Sequence, residues 1–258
     1  MTMSVCADAI DSNRAEDSRE ALPAMMTPHA IAVLFQRADL ALYGDAWRDF
    51  LLWANIGPTI GSGLGSDGDA SSRMRCAFEE WFAFDCEIDE QGETPFDLAA
   101  RYRFDVTRDI DRSEYANMRR VSASNRASWF TILDADAVRG TLMLEDLASD
   151  QLYEVRDRRL AGELDGVRGG ALVARIAMSH GVWRLVGEPL HISRRGEANR
   201  AHVRFCQLLN VRQPQFADLV RFFHGRDAGR HVRYDALRDY ERTHGVETIW
   251  TKLSRGLM

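Results

Sequence analysis

The sequence predicts an α+β protein: a helical N-terminal region, a central small five-stranded antiparallel β-barrel of SH3-like or OB-like type, and a helical C-terminal region. Three observations predict it. Apolar residues recur at helical spacing before residue 128, alternate with period two from 128 to about 188, and return to helical spacing after Pro189. Turn chemistry separates the period-two runs: Ala148-Ser149-Asp150 and Ser179-His180-Gly181 fall between apolar stretches. Five short strands in so little chain leave open edges unless they close on themselves, and closure into a barrel is the economical solution.

Taken in order, residues 1–24 are polar and small, and read as a disordered leader. The region 25–56 reads as helical, opened by Thr27-Pro28 with Thr27 as N-cap and Pro28 at the first helical position. Ile31, Leu34, Ala38, Leu42, Trp47, Phe50 and Leu51 then keep helical spacing, as one helix or two broken near Gly44. The stretch 57–72 is rich in Gly and Ser and reads as a linker. An aromatic-rich helical region, 73–127, follows, with helices at about Arg73–Phe84, from Thr94-Pro95 onward, and at about Ser113–Val121.

The barrel occupies 128–192, with strands expected at Trp129–Leu133, Gly140–Leu147, Leu152–Arg156, Leu172–Met178 and Val182–Val186. A glycine-rich crossover is expected at Gly162–Gly170. The last region, 193–258, reads as basic and helical, with helices over Glu197–Leu209, around Phe216–Phe223, and over Val232–Arg242.

Composition narrows the function classes. With 45% hydrophobic and 28% charged residues, the 258-residue chain has enough apolar matter for a core without staples. Cys6, Cys76, Cys86 and Cys206 lie far apart, a pattern that suits a reducing compartment. The start lacks a basic segment followed by an apolar run, so no signal peptide is expected, and no apolar run approaches the roughly 20 residues of a membrane helix. A cytoplasmic location and no membrane partner follow as expectations. Lys252 is the single lysine among 33 basic residues, which a GC-rich genome explains without invoking a site.

Charge is uneven. Residues 1–97 carry a net −12, 98–188 are neutral, and 189–258 carry +6 with five of the seven histidines. An acidic front and a basic tail are two candidate partner surfaces, or attract each other.

No motif assigns a chemistry. Gly63-Leu64-Gly65-Ser66-Asp67-Gly68 matches G-x-G-x-x-G, but a helical pattern precedes it where a dinucleotide site needs a strand. His202 and Cys206 share a helical face without a third and fourth zinc ligand at a recognisable spacing. Cys86 sits between Asp85 and Glu87, which disfavour a thiolate. Glu79 and Glu80 diverge by about 100° on a helix and read as part of a solvated face. No catalytic residue, metal site or cofactor is expected. Arg194, Arg195, Arg200, Arg204 and Arg212 are candidate nucleic-acid contacts, since clustered arginines supply the phosphate term.

Phe78-Glu79-Glu80-Trp81-Phe82-Ala83-Phe84-Asp85 and Gly92-Glu93-Thr94-Pro95-Phe96-Asp97-Leu98 resemble the F-x-x-W-F-x-F-D … G-x-T-P-x-x-L signature of an uncharacterised bacterial domain found in SEC-C-motif-associated proteins. Leu144-Glu145-Asp146-Leu147, Tyr153–Arg158 and Gly170–Ile176 resemble its later segments. The chain departs from that pattern at Ser149-Asp150-Gln151, in place of T-G-E, and at Gly169-Gly170, in place of G-D. It has no closely spaced cysteines for the SEC-C zinc motif, so the resemblance implies a fold and no zinc or translocase role. Its residues read as packing elements, with Leu144, Leu147, Val155, Val173 and Ile176 expected in the barrel core.

The sequence therefore points first to a non-enzymatic binding or adaptor protein with a protein or other partner. Nucleic-acid association through the arginine-rich tail and a barrel face is the alternative, and an enzyme with a dispersed active site is the third reading.

Overall fold

The structure, a computed structural model, describes residues 26–56, 68–194 and 215–225. Helix α1 (Pro28–Ala38) starts as expected: Thr27 is extended and its hydroxyl accepts from Ala30 N at 3.3 Å, with Pro28 following. The break before α2 (Leu40–Trp53) falls at Asp39 and not at Gly44. Asp39 leaves the helical backbone and its carboxylate accepts from Ala41 N and Leu42 N, so a capping side chain decides where the helix restarts. Helix α3 (Gly68–Phe84) begins earlier than the expected Arg73.

Helix α4 (Pro95–Tyr102) is capped by Thr94, whose hydroxyl accepts from Asp97 N and donates to the Asp97 carboxylate. A π-helical turn, Arg103–Thr107, ends that segment. Helix α5 (Arg112–Ser124) follows, with Asp111 as N-cap.

Six strands then form one sheet: β1 (Arg126–Asp136), β2 (Thr141–Asp146), β3 (Leu152–Arg156), β4 (Gly170–Ser179), β5 (Val182–Leu185) and β6 (His191–Ser193). The order β1-β2-β3-β5-β4 closes because β4 also pairs with β1. The barrel is mixed, which corrects the antiparallel expectation. β3 meets β5 in parallel at Val155↔Trp183, because the connection from β3 crosses the barrel end before β4 and β5 return. That connection contains helix α6 (Arg158–Glu163), not expected from the sequence, and then the expected glycine-rich loop, with Gly166 and Gly169 at positive φ. Its Leu160 and Ala161, with Leu164, plug the barrel interior. The short β6 extends the sheet on the N-terminal half of β4, pairing Leu172 with Ile192.

Alternation along β4 divides the core. Leu172, Ala174 and Ile176 face the barrel interior with Phe130, Ile132, Leu142, Leu144 and Val155. Ala171, Val173, Arg175, Ala177 and Ser179 face outward, and the helices cover them. Val173 and Leu147 thus belong to the helix–barrel layer and not to the barrel interior, a correction that follows from strand parity. With both faces buried, β4 reads as an almost continuous apolar run. In that layer Phe78 and Phe82 pack with Phe50 and Trp129 and with α7 (Phe216–His224), while Phe84 stacks on Phe96 at 4.7 Å on the other side.

Asp146 ties the top of the barrel. Almost fully buried, it accepts from Ser128 Oγ at 2.5 Å, Ser149 Oγ at 2.8 Å, Ala148 N at 2.9 Å and Arg126 Nη1 at 3.3 Å. Asp146→Ala strands these donors and should lower stability by about 3 kcal/mol in urea unfolding. Asp146→Asn keeps the shape and should lose less.

Candidate functional site

Where α3 crosses the barrel, a cleft of about 540 Å³ opens. Its walls come from separate parts of the chain: Thr27–His29 at the start of α1, Glu79 and Glu80 of α3, the junction Arg156–Arg159 of β3 and α6, Ser179 of β4, and Arg184–Glu188 from β5 onward. The fold, not any one segment, makes this cleft.

Glu79 and Glu80 diverge as a helix requires, yet both are buried, which overturns the solvated-face expectation. Helix α3 is packed against α1, α2, α4 and the barrel at once, so neither direction leads to open water. Glu79 turns to α1 and its Oε1 meets His29 Nδ1 at 3.0 Å. Glu80 turns to β4, where its Oε1 accepts from Arg175 Nε at 3.1 Å. Gly187, at φ 112°, closes over Glu80: a Cβ there would lie 2.2 Å from Glu80 Oε2. Glycine is needed on both counts.

Arg175 projects from β4 into the helical layer and is 2% exposed. Besides Glu80 it donates to Asp85 Oδ2 and to Asn125 Oδ1, and its guanidinium lies between the rings of Phe84 (5.1 Å) and Phe216 (5.0 Å). Burial pushes the Glu80 carboxyl up to about 8; Arg175 pulls against that, and Asp85 adds to it. Burial also raises Asp85 against the pull of Arg175. A proton on Glu80 at neutral pH leaves Arg175 with one carboxylate to balance, so a neutral carboxylic acid borders the cleft.

Ser179, the last residue of β4 before the β4–β5 hairpin turn, borders the same cleft. His180, at φ 49°, turns its ring back so that Nδ1 lies 3.1 Å from Ser179 Oγ and Nε2 lies 3.1 Å from Glu114 Oε2 of α5. Asn117 accepts from His180 N at 2.7 Å through Oδ1, and its Nδ2 reaches Ser179 Oγ at 3.4 Å. The sequence placed His180 at a hairpin tip. It gave no sign of Glu114, which is 66 residues away.

Of the expected nucleic-acid contacts, Arg194 is exposed just after β6, while Arg195, Arg200, Arg204 and Arg212 lie outside the described residues. His202 and Cys206 also lie outside them. His191, their neighbour in sequence, is on β6 and stacks on Phe223 at 4.7 Å. Among the described residues no group of three or more His, Cys, Asp or Glu is placed to hold a metal. The Cys86 thiol is pushed up to about 11, by burial first and then by Asp49, Asp85 and Glu87. Burial and Glu79 likewise raise Cys76. Of the G-x-G-x-x-G stretch only Gly68 is described; it opens α3, and the described element before it is the helix α2. Among the described residues no helix is long and apolar enough to cross a membrane.

Comparison of the chain with protein-family models, with curated proteins and with solved structures finds no match.

Proposed function

We propose that this chain is a binding protein and that the cleft between α3 and the barrel takes a small polar ligand. One observation carries the reading: buried Glu79 and Glu80, Asp157, Glu188 and the arginines 156, 158, 159 and 184 converge on a cavity of about 540 Å³. Small-molecule sites run from roughly 300 to 1,000 Å³ and hold a few fixed polar groups. Buried carboxyl groups are costly to keep unless packing or a partner repays them. The five-stranded closure with β3 beside β5, and a helix plugging the barrel between β3 and β4, supports an OB-type reading of the barrel. That is an argument from fold alone, as is the likeness to the SEC-C-associated domain.

Nucleic-acid association is the second reading, supported by exposed Arg194 and the +6 charge of residues 189–258. The outer face of β2 and β3 adds Glu145 and Glu154 to the barrel surface, which favours the small-ligand reading.

Calorimetric titration of the full chain with succinate, glutamate, glycerol phosphate and a single-stranded oligonucleotide at low salt separates the two. A small anion should bind, and Arg159→Ala should weaken it about ten-fold, near 1.4 kcal/mol. Binding of the oligonucleotide alone would select the second reading, since phosphate-driven complexes strengthen as salt is diluted. No heat from any small anion would end the first.

A further inference from the structure

We propose that Ser179 is a nucleophile that hydrolyses a small carboxylic ester bearing a negative charge, with His180 as its base and Glu114 as the positioning residue. The proposal rests on the cleft being a small-ligand site and adds a reaction to it.

The hydrogen-bond partners assign the histidine tautomer. A carboxylate only accepts, so the ring nitrogen facing Glu114 Oε2 at 3.1 Å, Nε2, carries the proton. Nδ1 then holds the lone pair, and it faces the Ser179 hydroxyl at 3.1 Å. The hydroxyl donates to Nδ1, and Nε2–H donates to Glu114. A nucleophile, a base within reach and a third group orienting the base is the arrangement that activates serine. The order of ring nitrogens is reversed from the familiar one, because Ser179 and His180 are neighbours and only the nearer nitrogen reaches back.

Local backbone makes this possible. Adjacent strand residues point to opposite faces, so a serine and the next residue do not ordinarily meet. Here Ser179 ends β4, and His180 and Gly181 both take positive φ (49° and 79°) in the hairpin turn, which folds the imidazole back beside the hydroxyl. Asn117 fixes the turn by accepting from His180 N. Its Nδ2 lies 3.4 Å from Ser179 Oγ, 3.3 Å from His180 Nδ1 and 3.4 Å from Glu114 Oε1, and so ties the three side chains to one another. Ser179, 3% exposed, is a wall residue of the cleft. The four arginines 156, 158, 159 and 184 face Glu79, Asp157 and Glu188 across it, and with Glu80 protonated they are one charge in excess, which favours an anionic substrate.

The step balances with water alone. Ser179 Oγ adds to the ester carbonyl carbon as its proton passes to His180 Nδ1, leaving an imidazolium beside Glu114. The C–O bond to the alcohol breaks, and the alcohol leaves with the proton from Nδ1. Water then adds to the acyl-serine, gives a proton to Nδ1, and the acid is released as the serine recovers its hydrogen.

The test uses the full chain and a fluorophosphonate probe, read by intact mass and peptide mapping, together with hydrolysis of nitrophenyl succinate and nitrophenyl acetate. The expected result is one label on Ser179, absent in Ser179→Ala, and label-forming rates about 10²-fold lower in His180→Gln. Glu114→Gln should lower kcat with little change in KM, and Glu114→Asp should restore part of it, a split that a purely structural clamp does not produce. Folded protein that takes no label, or takes it elsewhere, overturns the nucleophile. Equal kcat/KM for the succinyl and acetyl esters overturns the anionic substrate. Titration of Ser179→Ala with succinate keeps the two readings apart: binding there with no label on the native chain leaves a binding cleft without a reaction.

Discussion

Arg175→Met should destabilise the protein by about 3–5 kcal/mol at neutral pH, the range expected when one partner of a buried ion pair is removed. The native guanidinium is 2% exposed, with Glu80, Asp85 and Asn125 as acceptors and rings of Phe84 and Phe216 on its sides. Methionine fills much of the volume, so the loss is chiefly electrostatic: part-buried Asp85 is left with no cation beside it, and protonated Glu80 loses its hydrogen-bond donor. Arg175→Lys should recover little, because a point charge with three donors does not reproduce a planar fork reaching three acceptors. Protonating Asp85 removes the uncompensated charge, so the penalty should shrink as pH falls toward 4. Urea unfolding across pH measures this directly. A loss below about 1 kcal/mol at neutral pH, or one independent of pH, would show that the network is not an electrostatic tie between α3 and β4.

Much of this network's surroundings can be read from the chain. Thr27-Pro28 and Thr94-Pro95 marked two helix starts because a hydroxyl cap and a following proline act within one turn. The five barrel strands stood out as short apolar runs bounded by turn residues, also a local signal, although β4 is apolar on both faces. The parallel β3–β5 seam was not legible, since pairing joins segments that the sequence separates. Helix α6 is six residues long, too short for a helical period to stand out.

Glu79 and Glu80 look like any charged pair on a helix, and their burial depends on four elements meeting α3. The available signal lay in Arg175. An arginine within Gly170-Ala171-Leu172-Val173-Ala174-Arg175-Ile176-Ala177 has little apolar-face alternative to a buried partner. That argument demands a carboxylate somewhere and does not say which. The partner proved to be 95 residues away. Ser179 and His180 follow the same logic, because their adjacency is plain in sequence while the positive φ that turns one onto the other is a property of the hairpin.

Between about pH 4.5 and pH 8 the protein should become less stable as pH rises, and Glu80→Gln should remove most of that slope. An exposed glutamate has its ordinary value near 4.5, whereas burial holds folded Glu80 at about 8. Below the lower value both states are protonated and the group contributes no slope. Between the two the unfolded chain releases its proton while the folded chain retains it, so each rise in pH favours unfolding. Above about 8 both states are ionised and the penalty is complete, on the order of 5 kcal/mol. Glutamine keeps the neutral form's shape and an acceptor for Arg175 Nε. Glu80→Gln should therefore match the native chain near pH 4.5 and exceed it increasingly toward pH 8. Asp85 is raised in the same direction, so a smaller negative slope should persist in Glu80→Gln beginning near the ordinary aspartate range. Thermal or urea unfolding of both proteins over this range separates the contributions. Parallel pH profiles for the two would mean that Glu80 is ionised in the native state, and the cleft would then present a second negative charge where a neutral acid has been argued.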